Sequence, residues 1–147
     1  MEGYRSLADL HKALAHPVRL HILDILARRE ACVCHLTAVL GMRQPYVSQQ
    51  LGALRDAGVV VGRREGTLIY YRLRDARLAG LLALGQSLVE ATDSSAGPLP
   101  TVWEGPVAGC QCPGCNRAPD GPEIGETIAV AAYTTASRRS IGSPSAA

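Results

Sequence analysis

Residues 31–58 constrain the fold more than any other part of the chain. They contain two segments with helical apolar spacing, Val33–Leu40 and residues 44–57, separated by three residues that include a glycine. A short glycine-bearing break between two helices is typical of a helix-turn-helix. The same pattern also fits an ordinary pair of antiparallel helices, so the flanking sequence has to decide between the two interpretations.

The second of these segments has a clear division between an apolar and a polar side. Val47, Leu51 and Leu54 are spaced by four and three residues, which places them on one face of a helix. Polar side chains then lie on the other side, near the N-terminal end. In a recognition helix that end faces the base edges of DNA. We therefore predict that the apolar stripe is buried and that the polar side is exposed.

A β-hairpin is predicted directly after the helix-turn-helix. Residues 59–61 and Leu68–Leu73 are rich in β-branched and aromatic side chains, and they flank a charged, glycine-containing tip at residues 63–67. Two strands alone are marginally stable in water. The hairpin should therefore pack its apolar face against the helices and leave its basic tip projecting outward.

Three further helices are predicted on either side. The first covers residues 6–15 with Ser6 as its N-cap, the second starts at Pro17 and ends near residue 29, and both are expected in the core. The last helix is capped by Asp75 and runs to about residue 90. Its apolar seam could be buried in its own monomer or against a second copy, and we favour the second copy because little else remains to cover it.

The composition changes at residue 93. The following segment is rich in Gly and Pro and lacks a usable period, which excludes a long helix or an interior strand. Residues 124–147 are small and polar, and we predict that they are disordered. The chain is therefore divided into a folded domain at residues 1–92 and a flexible, cysteine-containing tail at residues 93–147.

The order helix, helix, helix-turn-helix, basic hairpin, terminal helix is that of a winged helix-turn-helix domain. The predicted fold is mainly α with a small β-hairpin, a homodimer through its terminal helices, and a disordered C-terminal tail. The sequence resembles the ArsR/SmtB family of metal-responsive repressors over about residues 7–73. The resemblance is carried by LADLHKALAHPVRLHILDIL, ACVCHL, QPYVSQQLGALRDAGVV and REGTLIYYRL. It implies a homodimer that binds an inverted-repeat operator when ligand-free and dissociates when a metal or metalloid binds.

The resemblance also implies which residues contact double-stranded DNA. They are Gln44, Tyr46, Ser48 and Gln49 on the recognition helix, with Arg63, Arg64 and Arg72 in the wing. Gln can pair with an adenine edge, hydroxyls serve bases or phosphates, and Arg offers a forked donor. The net charge is only +2, so binding has to depend on local basic clusters. Arg43 and Arg55 fit DNA contact and solvent-exposed charge equally well. Gln50 departs from the family, since many members have His there.

The cysteines indicate metal or redox chemistry. The chain has five, in CxC and CxCxxC spacings, and it lacks both a signal-peptide-like N-terminus and an apolar run of membrane-spanning length. We therefore expect a cytoplasmic protein without a membrane segment. In that reducing compartment an odd number of closely spaced cysteines favours metal binding or redox sensing over structural disulfides.

Cys32 and Cys34 stand at the beginning of the predicted third helix. Residues two apart in an α-helix point about 200° apart, so Cys32 must lie in a non-helical lead-in if both are to bind one ion. A helix N-terminus favours the thiolate form. Two thiolates are too few for arsenite, antimonite, cadmium, lead or zinc, and Thr37 occupies the position of the third cysteine in related arsenic sensors. The candidate metal ligands are therefore Cys32, Cys34, Cys110, Cys112 and Cys115, and no organic cofactor is expected.

Histidines are expected to contribute little to this site. All four lie in the first 35 residues, so a zinc site on the terminal helix should be absent. His16 and His21 are interpreted as packing or capping residues. His35 adjoins the CxC pair and could either bind the ion or support its ligands, and we favour the supporting role.

Three alternatives to a metal-sensing repressor stay open. The tail could be a small zinc knuckle or a metal scavenger uncoupled from DNA, the cysteines could sense oxidants or polysulfide, or the protein could be a metal buffer whose winged helix binds a protein partner. An enzyme is not expected, because the sequence contains no nucleophile-base pair, phosphate loop or carboxylate dyad.

Overall fold

The structure is a computed structural model of the chain and describes residues 1–99 and 106–116. The predicted order of elements is confirmed, with one short strand and one single-turn helix added. The elements are α1 (Glu2–Leu14), α2 (Pro17–Arg28), β1 (Ala31–Cys32), α3 (Val33–Leu40), α4 (Gln44–Asp56), β2 (Val60–Glu65), β3 (Leu68–Leu73), α5 (Arg77–Thr92) and α6 (Pro113–Asn116). In the described part of the chain, every helix is too short or too polar to cross a bilayer. The predicted disorder of residues 124–147 lies outside the described residues.

The helix-turn-helix forms as the apolar pattern predicts. Val47, Leu51 and Leu54 are buried on the inner face of α4, where they join a core built mainly from α2, α3 and the sheet. Gly41 ends α3 in the left-handed conformation, with φ of 62°, which glycine adopts without steric cost. Gly58 has φ of 71° after α4. The two glycines therefore fix how the chain enters and leaves the recognition helix.

The sheet has three antiparallel strands in the order β1-β3-β2. The predicted tip of the hairpin was too wide, because strand pairing continues through Arg63 and Arg64 to Glu65, which pairs with Leu68. Gly66 and Thr67 alone form the turn. Strand β1 was not predicted, since two residues are too few to show alternation. It places Cys32 opposite Tyr70 on β3.

The prediction for α1 was wrong in two respects. The helix begins at Glu2, and the Ser6 hydroxyl donates to the Glu2 carbonyl within it instead of capping its start. Its apolar residues are not all in the core: Leu7 is 51% exposed, and only Ala13 and Leu14 are buried. The reason is geometric, since only the C-terminal part of α1, from Leu10 onwards, reaches the core.

Helix α5 has an inner and an outer apolar side. Leu78, Leu81 and Leu82 pack against the core of the same chain. Leu84 and Leu88, further along, are 58% and 59% exposed. The seam is therefore covered by its own monomer at the beginning of the helix and uncovered towards its end.

Candidate thiolate site and nucleic-acid interface

Cys32 lies in an extended lead-in to α3, as the sequence analysis required. Its backbone has φ of −81° and ψ of 164°, and its sulfur accepts the backbone N–H of His35 at 3.3 Å. Cys34 follows in the first turn of α3. The two Cα atoms are 5.4 Å apart, and the sulfurs are in direct contact as a disulfide. The pair can therefore supply two thiolates only after reduction.

Residues 106–116 bring the three tail cysteines to the same place. The Cys110 N–H donates to the Val107 carbonyl at 3.1 Å, and the Cys115 N–H donates to the Cys112 carbonyl at 2.9 Å. These hydrogen bonds form two tight turns that direct the sulfurs inward. Cys110, Cys112 and Cys115 are all buried and are not in disulfides.

Cys110 lies at the centre of the sulfur cluster. Its sulfur is 3.9 Å from that of Cys32, 3.3 Å from that of Cys34 and 3.3 Å from that of Cys112. These four sulfurs all lie within 4.8 Å of one another. Tetrahedral thiolate sites with metal–sulfur bonds of about 2.3 Å place their sulfurs about 3.8 Å apart. Once the disulfide is reduced, the four donors therefore fit a single thiophilic ion.

The cluster is shielded from water on the side of the wing. Leu68, Tyr70 and Val107 pack against it. Burial raises the pKa of the Cys110 thiol to about 12, because a buried thiolate without a counter-charge is unfavourable. A bound cation would supply that counter-charge. The arrangement thus suits ion binding better than it suits a free thiolate.

The pKa of the Cys115 thiol is shifted in the opposite direction. Burial alone would raise the pKa of its thiol, but hydrogen bonds from the Val107 backbone and from the thiols of Cys110 and Cys112 lower it, with a smaller contribution from the charge of Arg29. The surroundings of Cys115 therefore favour the thiolate form, whereas those of Cys110 favour the thiol.

Two histidines have the kinds of contact expected from their positions. The His16 Nδ1 accepts the backbone N–H of Val18 at 3.3 Å and caps α2, as predicted. His35 is fully buried on α3, with its Nδ1 at 3.1 Å from the Cys115 sulfur. Burial and the charge of Arg29 lower the pKa of the imidazole, which disfavours its protonated form.

The residues predicted to contact DNA lie on the exposed side of α4 and on the wing. They are Gln44, Tyr46, Ser48, Gln49, Arg63, Arg64 and Arg72, and all are exposed. Arg43 is exposed at the start of α4, and Arg55 near its end lies 3.8 Å from the Asp56 carboxylate. The geometry therefore leaves these side chains accessible to a ligand, and their DNA contacts stay predictions.

Gln50 has a structural partner that sequence reasoning did not find. Its Oε1 accepts from the Arg19 Nε at 2.9 Å, and an Arg19 Nη1 donates to the Ala13 carbonyl at 3.1 Å. Gln50 is buried and faces away from the exposed side of α4. The interaction ties the recognition helix to α2 and to the end of α1.

Glu30 was also missed, and it joins the wing to the start of β1. The Arg63 Nη2 donates to its Oε2 at 2.8 Å, and Arg72 lies 3.8 Å from its other oxygen. The Arg63 guanidinium also lies 5.2 Å from the centre of the Tyr70 ring. Hydrogen bonding to Glu30, and then to Glu65, raises the pKa of Arg63. One candidate DNA contact is thus held by residues next to the cysteine cluster.

Comparison with known proteins identifies the domain. The family model described as "Bacterial regulatory protein, arsR family" matches residues 16–61. A biofilm growth-associated repressor of Agrobacterium fabrum is 50% identical over 77 residues, which cover 52% of this chain and 66% of that protein. An arsenic resistance transcriptional regulator of Pseudomonas putida is 40% identical over 83 residues, 51% of this chain and 65% of that one. About a third of each relative is therefore not covered.

A solved structure gives the same result at the level of the fold. It is a homodimeric winged helix-turn-helix DNA-binding domain from Mycobacterium bovis, described as a possible ArsR-family transcriptional regulator, and it is 39% identical with a TM-score of 0.57. The match covers 60% of this chain and 82% of that domain. With this fold, this identity and the family match across the helix-turn-helix, the chain belongs to the ArsR family of bacterial DNA-binding transcriptional regulators, which are not enzymes.

Proposed function

We propose that this protein is a cytoplasmic repressor that binds operator DNA as a homodimer and releases it when a thiophilic ion binds its cysteines. Residues 1–92 form the DNA-binding and dimerisation domain, and residues 93–147 form a tail that contributes ligands. The observation that carries this proposal is the meeting of Cys32 and Cys34 at α3 with Cys110 and Cys112 of the tail, because these four sulfurs lie within 4.8 Å of one another.

The donor set defines the class of inducer. Arsenite and antimonite take about three sulfurs in a pyramid, whereas cadmium, lead and zinc take three or four in thiolate surroundings. After reduction, one subunit offers five thiolate ligands, which are Cys32, Cys34, Cys110, Cys112 and Cys115. Either class of ion can therefore be held without ligands from a second subunit, and the ion supplies a positive charge that stabilises the buried thiolates.

The DNA-reading surface follows from the exposed side of the domain. In this proposal Gln44, Tyr46, Ser48 and Gln49 enter the major groove, and the wing arginines Arg63, Arg64 and Arg72 contact phosphates. The second recognition helix comes from a partner subunit that covers the exposed end of α5, where Leu84, Leu88 and Val89 are uncovered. Two such helices must be about 34 Å apart to read successive major grooves.

Two connections can transmit ion binding to this surface. Helix α3 leads through Gly41, Met42 and Arg43 into α4, and Cys32 pairs with Tyr70 of the wing. A change in the cysteine cluster therefore acts on both the recognition helix and the wing. The ion has to favour the non-binding arrangement by only a few kcal/mol to change occupancy of the operator substantially.

The test replaces Cys32 and Cys34 by Ser and measures operator binding by fluorescence anisotropy, with and without arsenite or cadmium, under reducing conditions. We expect unchanged affinity without ions and loss of ion-induced release. Gln49→Ala is the control, because it should weaken operator binding but leave ion binding intact. Loss of DNA binding by the untreated cysteine variant, or release that persists in it, would contradict the proposal.

A thiol redox sensor is the second candidate, because the Cys32 and Cys34 sulfurs are joined as a disulfide. Oxidation of this pair removes two of the thiolates that an ion would need. The two functions are separated by treating the anaerobic, reduced protein with ions and, in parallel, with an oxidant such as diamide. Release by the oxidant alone would favour the redox function over ion sensing.

A further inference from the structure

A second group of possible ligands adjoins the first. The ligand atoms of His35, Cys110 and Cys115 lie within 4.8 Å of one another, and all three residues are buried. Cys110 belongs to both groups, since it also lies among the sulfurs of Cys32, Cys34 and Cys112. The two groups therefore meet at one sulfur atom.

His35 presents its Nδ1 nitrogen to this group. Its Nδ1 lies 3.1 Å from the Cys115 sulfur, whereas its buried Nε2 has no hydrogen-bond partner among the described residues. A buried imidazole nitrogen normally has a partner. His35 thus has the properties of a ligand rather than of a packing residue.

We propose that the reduced cluster is dinuclear, with one ion held by Cys32, Cys34, Cys110 and Cys112, a second ion held by His35, Cys110 and Cys115, and the Cys110 sulfur bridging them. This inference rests on the proposed ion-binding function and extends it. The donors suffice for one four-coordinate and one three-coordinate ion, and none is left over. A single ion would bind at most four of these donors. The remaining donors would then have no ion to bind.

The chemical class of the ions follows from the donors. A mixture of thiolates and one imidazole suits a soft or borderline divalent cation such as cadmium or zinc. A thiolate sulfur has enough lone pairs to bind two such ions. Before binding, a thiol or phosphine reductant supplies two electrons and two protons to open the Cys32–Cys34 disulfide. Each cysteine that binds then releases its proton to the solvent.

The test is a cadmium titration of the full chain, reduced with a phosphine and kept anaerobic. Bound cadmium is counted after gel filtration, and ¹¹³Cd NMR reports the donor set of each ion. We expect two cadmium ions per chain and two resonances, one from an all-sulfur site and one from a site with nitrogen. A single bound ion per chain at saturation would overturn the proposal.

Two variants locate the second ion. Cys115→Ser and His35→Gln should each bind one cadmium per chain and lose the resonance from the nitrogen-containing site, while keeping the all-sulfur resonance. Circular dichroism and operator binding without ions verify that each variant is folded, and Cys115→Ser provides the test if His35→Gln is not. Two ions bound by folded Cys115→Ser would refute the assignment.

Operator release, measured in the same titration, separates this proposal from the proposed function. Release by one ion, with no second ion bound, would refute the dinuclear site and leave the repressor function intact. Two bound ions without release would support the dinuclear site and refute the sensing function.

Discussion

Glu30 is expected to restrain the wing by competing with DNA for Arg63. The two side chains are joined at 2.8 Å, with Arg63 50% and Glu30 36% exposed. An ion pair this exposed is weak, and its loss changes an equilibrium constant by at most about fivefold. Glu30→Gln removes one of the two carboxylates that pair with Arg63 and leaves Glu65 in place. We therefore predict operator binding up to about fivefold tighter for each subunit, or roughly 25-fold for a dimer that uses both wings.

The measurement is fluorescence anisotropy with labelled operator over a series of salt concentrations. An additional phosphate contact should increase the steepness of the plot of log affinity against log salt by about 0.9. Arg63→Ala in the Glu30→Gln background should abolish the gain, because the effect acts through that guanidinium. Arg64→Ala is the matched control: Arg64 is exposed on the same strand and has no ion-pair partner among the described residues, so the gain should persist.

Two results would refute this reasoning. Weaker binding by Glu30→Gln would mean that Glu30 positions Arg63 for DNA instead of competing for it. A gain that survives Arg63→Ala would mean that Glu30 acts through Arg72, which lies 3.8 Å from its other oxygen, or through its general negative charge. Double-mutant cycles distinguish these outcomes from a direct interaction between the two side chains.

Three other predictions concern the scaffold that holds the DNA-reading surface. Leu54→Ala removes a fully buried side chain of α4 and should reduce the free energy of unfolding by about 2–5 kcal/mol in urea denaturation; a loss below that range would mean that the core collapses around the site. Gln50→Ala leaves Arg19 without its 2.9 Å acceptor and should cost about 1–3 kcal/mol in the same assay, whereas an unchanged midpoint would show that water replaces the amide. Asp75 accepts hydrogen bonds from Arg77, which lower the pKa of its carboxyl group to about 2. The contribution of the ionised carboxylate to the stability of the folded protein should therefore be complete above the usual pKa near 3.8 and disappear as the pH falls through 2. Thermal unfolding of Asp75→Asn should therefore differ from that of the unaltered protein at neutral pH and converge with it in strong acid, and a constant difference would contradict the assignment.

The sequence by itself determined the features that depend on neighbouring residues. Apolar spacing along α4 identified the buried stripe of Val47, Leu51 and Leu54, because a helix has a fixed number of residues per turn. Gly41 marked the end of α3 because its backbone conformation is strained for other residues. Residues two apart in a helix point in nearly opposite directions, so Cys32 and Cys34 can bind one ion only if Cys32 precedes the helix. This condition placed Cys32 in an extended lead-in. Each of these conclusions uses geometry within a few residues of chain.

Tertiary structure alone decided which distant residues meet. Cys110 contacts Cys32 across a separation of 78 residues, and Arg19 contacts Gln50 across 31. The pairing of β1 with β3 and the approach of Glu30 to Arg63 likewise depend on how the helices and the sheet pack. Sequence periodicity carries no information about such contacts, because the residues between them can be arranged in many ways without changing the local pattern. The cysteine motifs therefore predicted sulfur ligands, whereas packing decided that Cys110 lies between two groups of them.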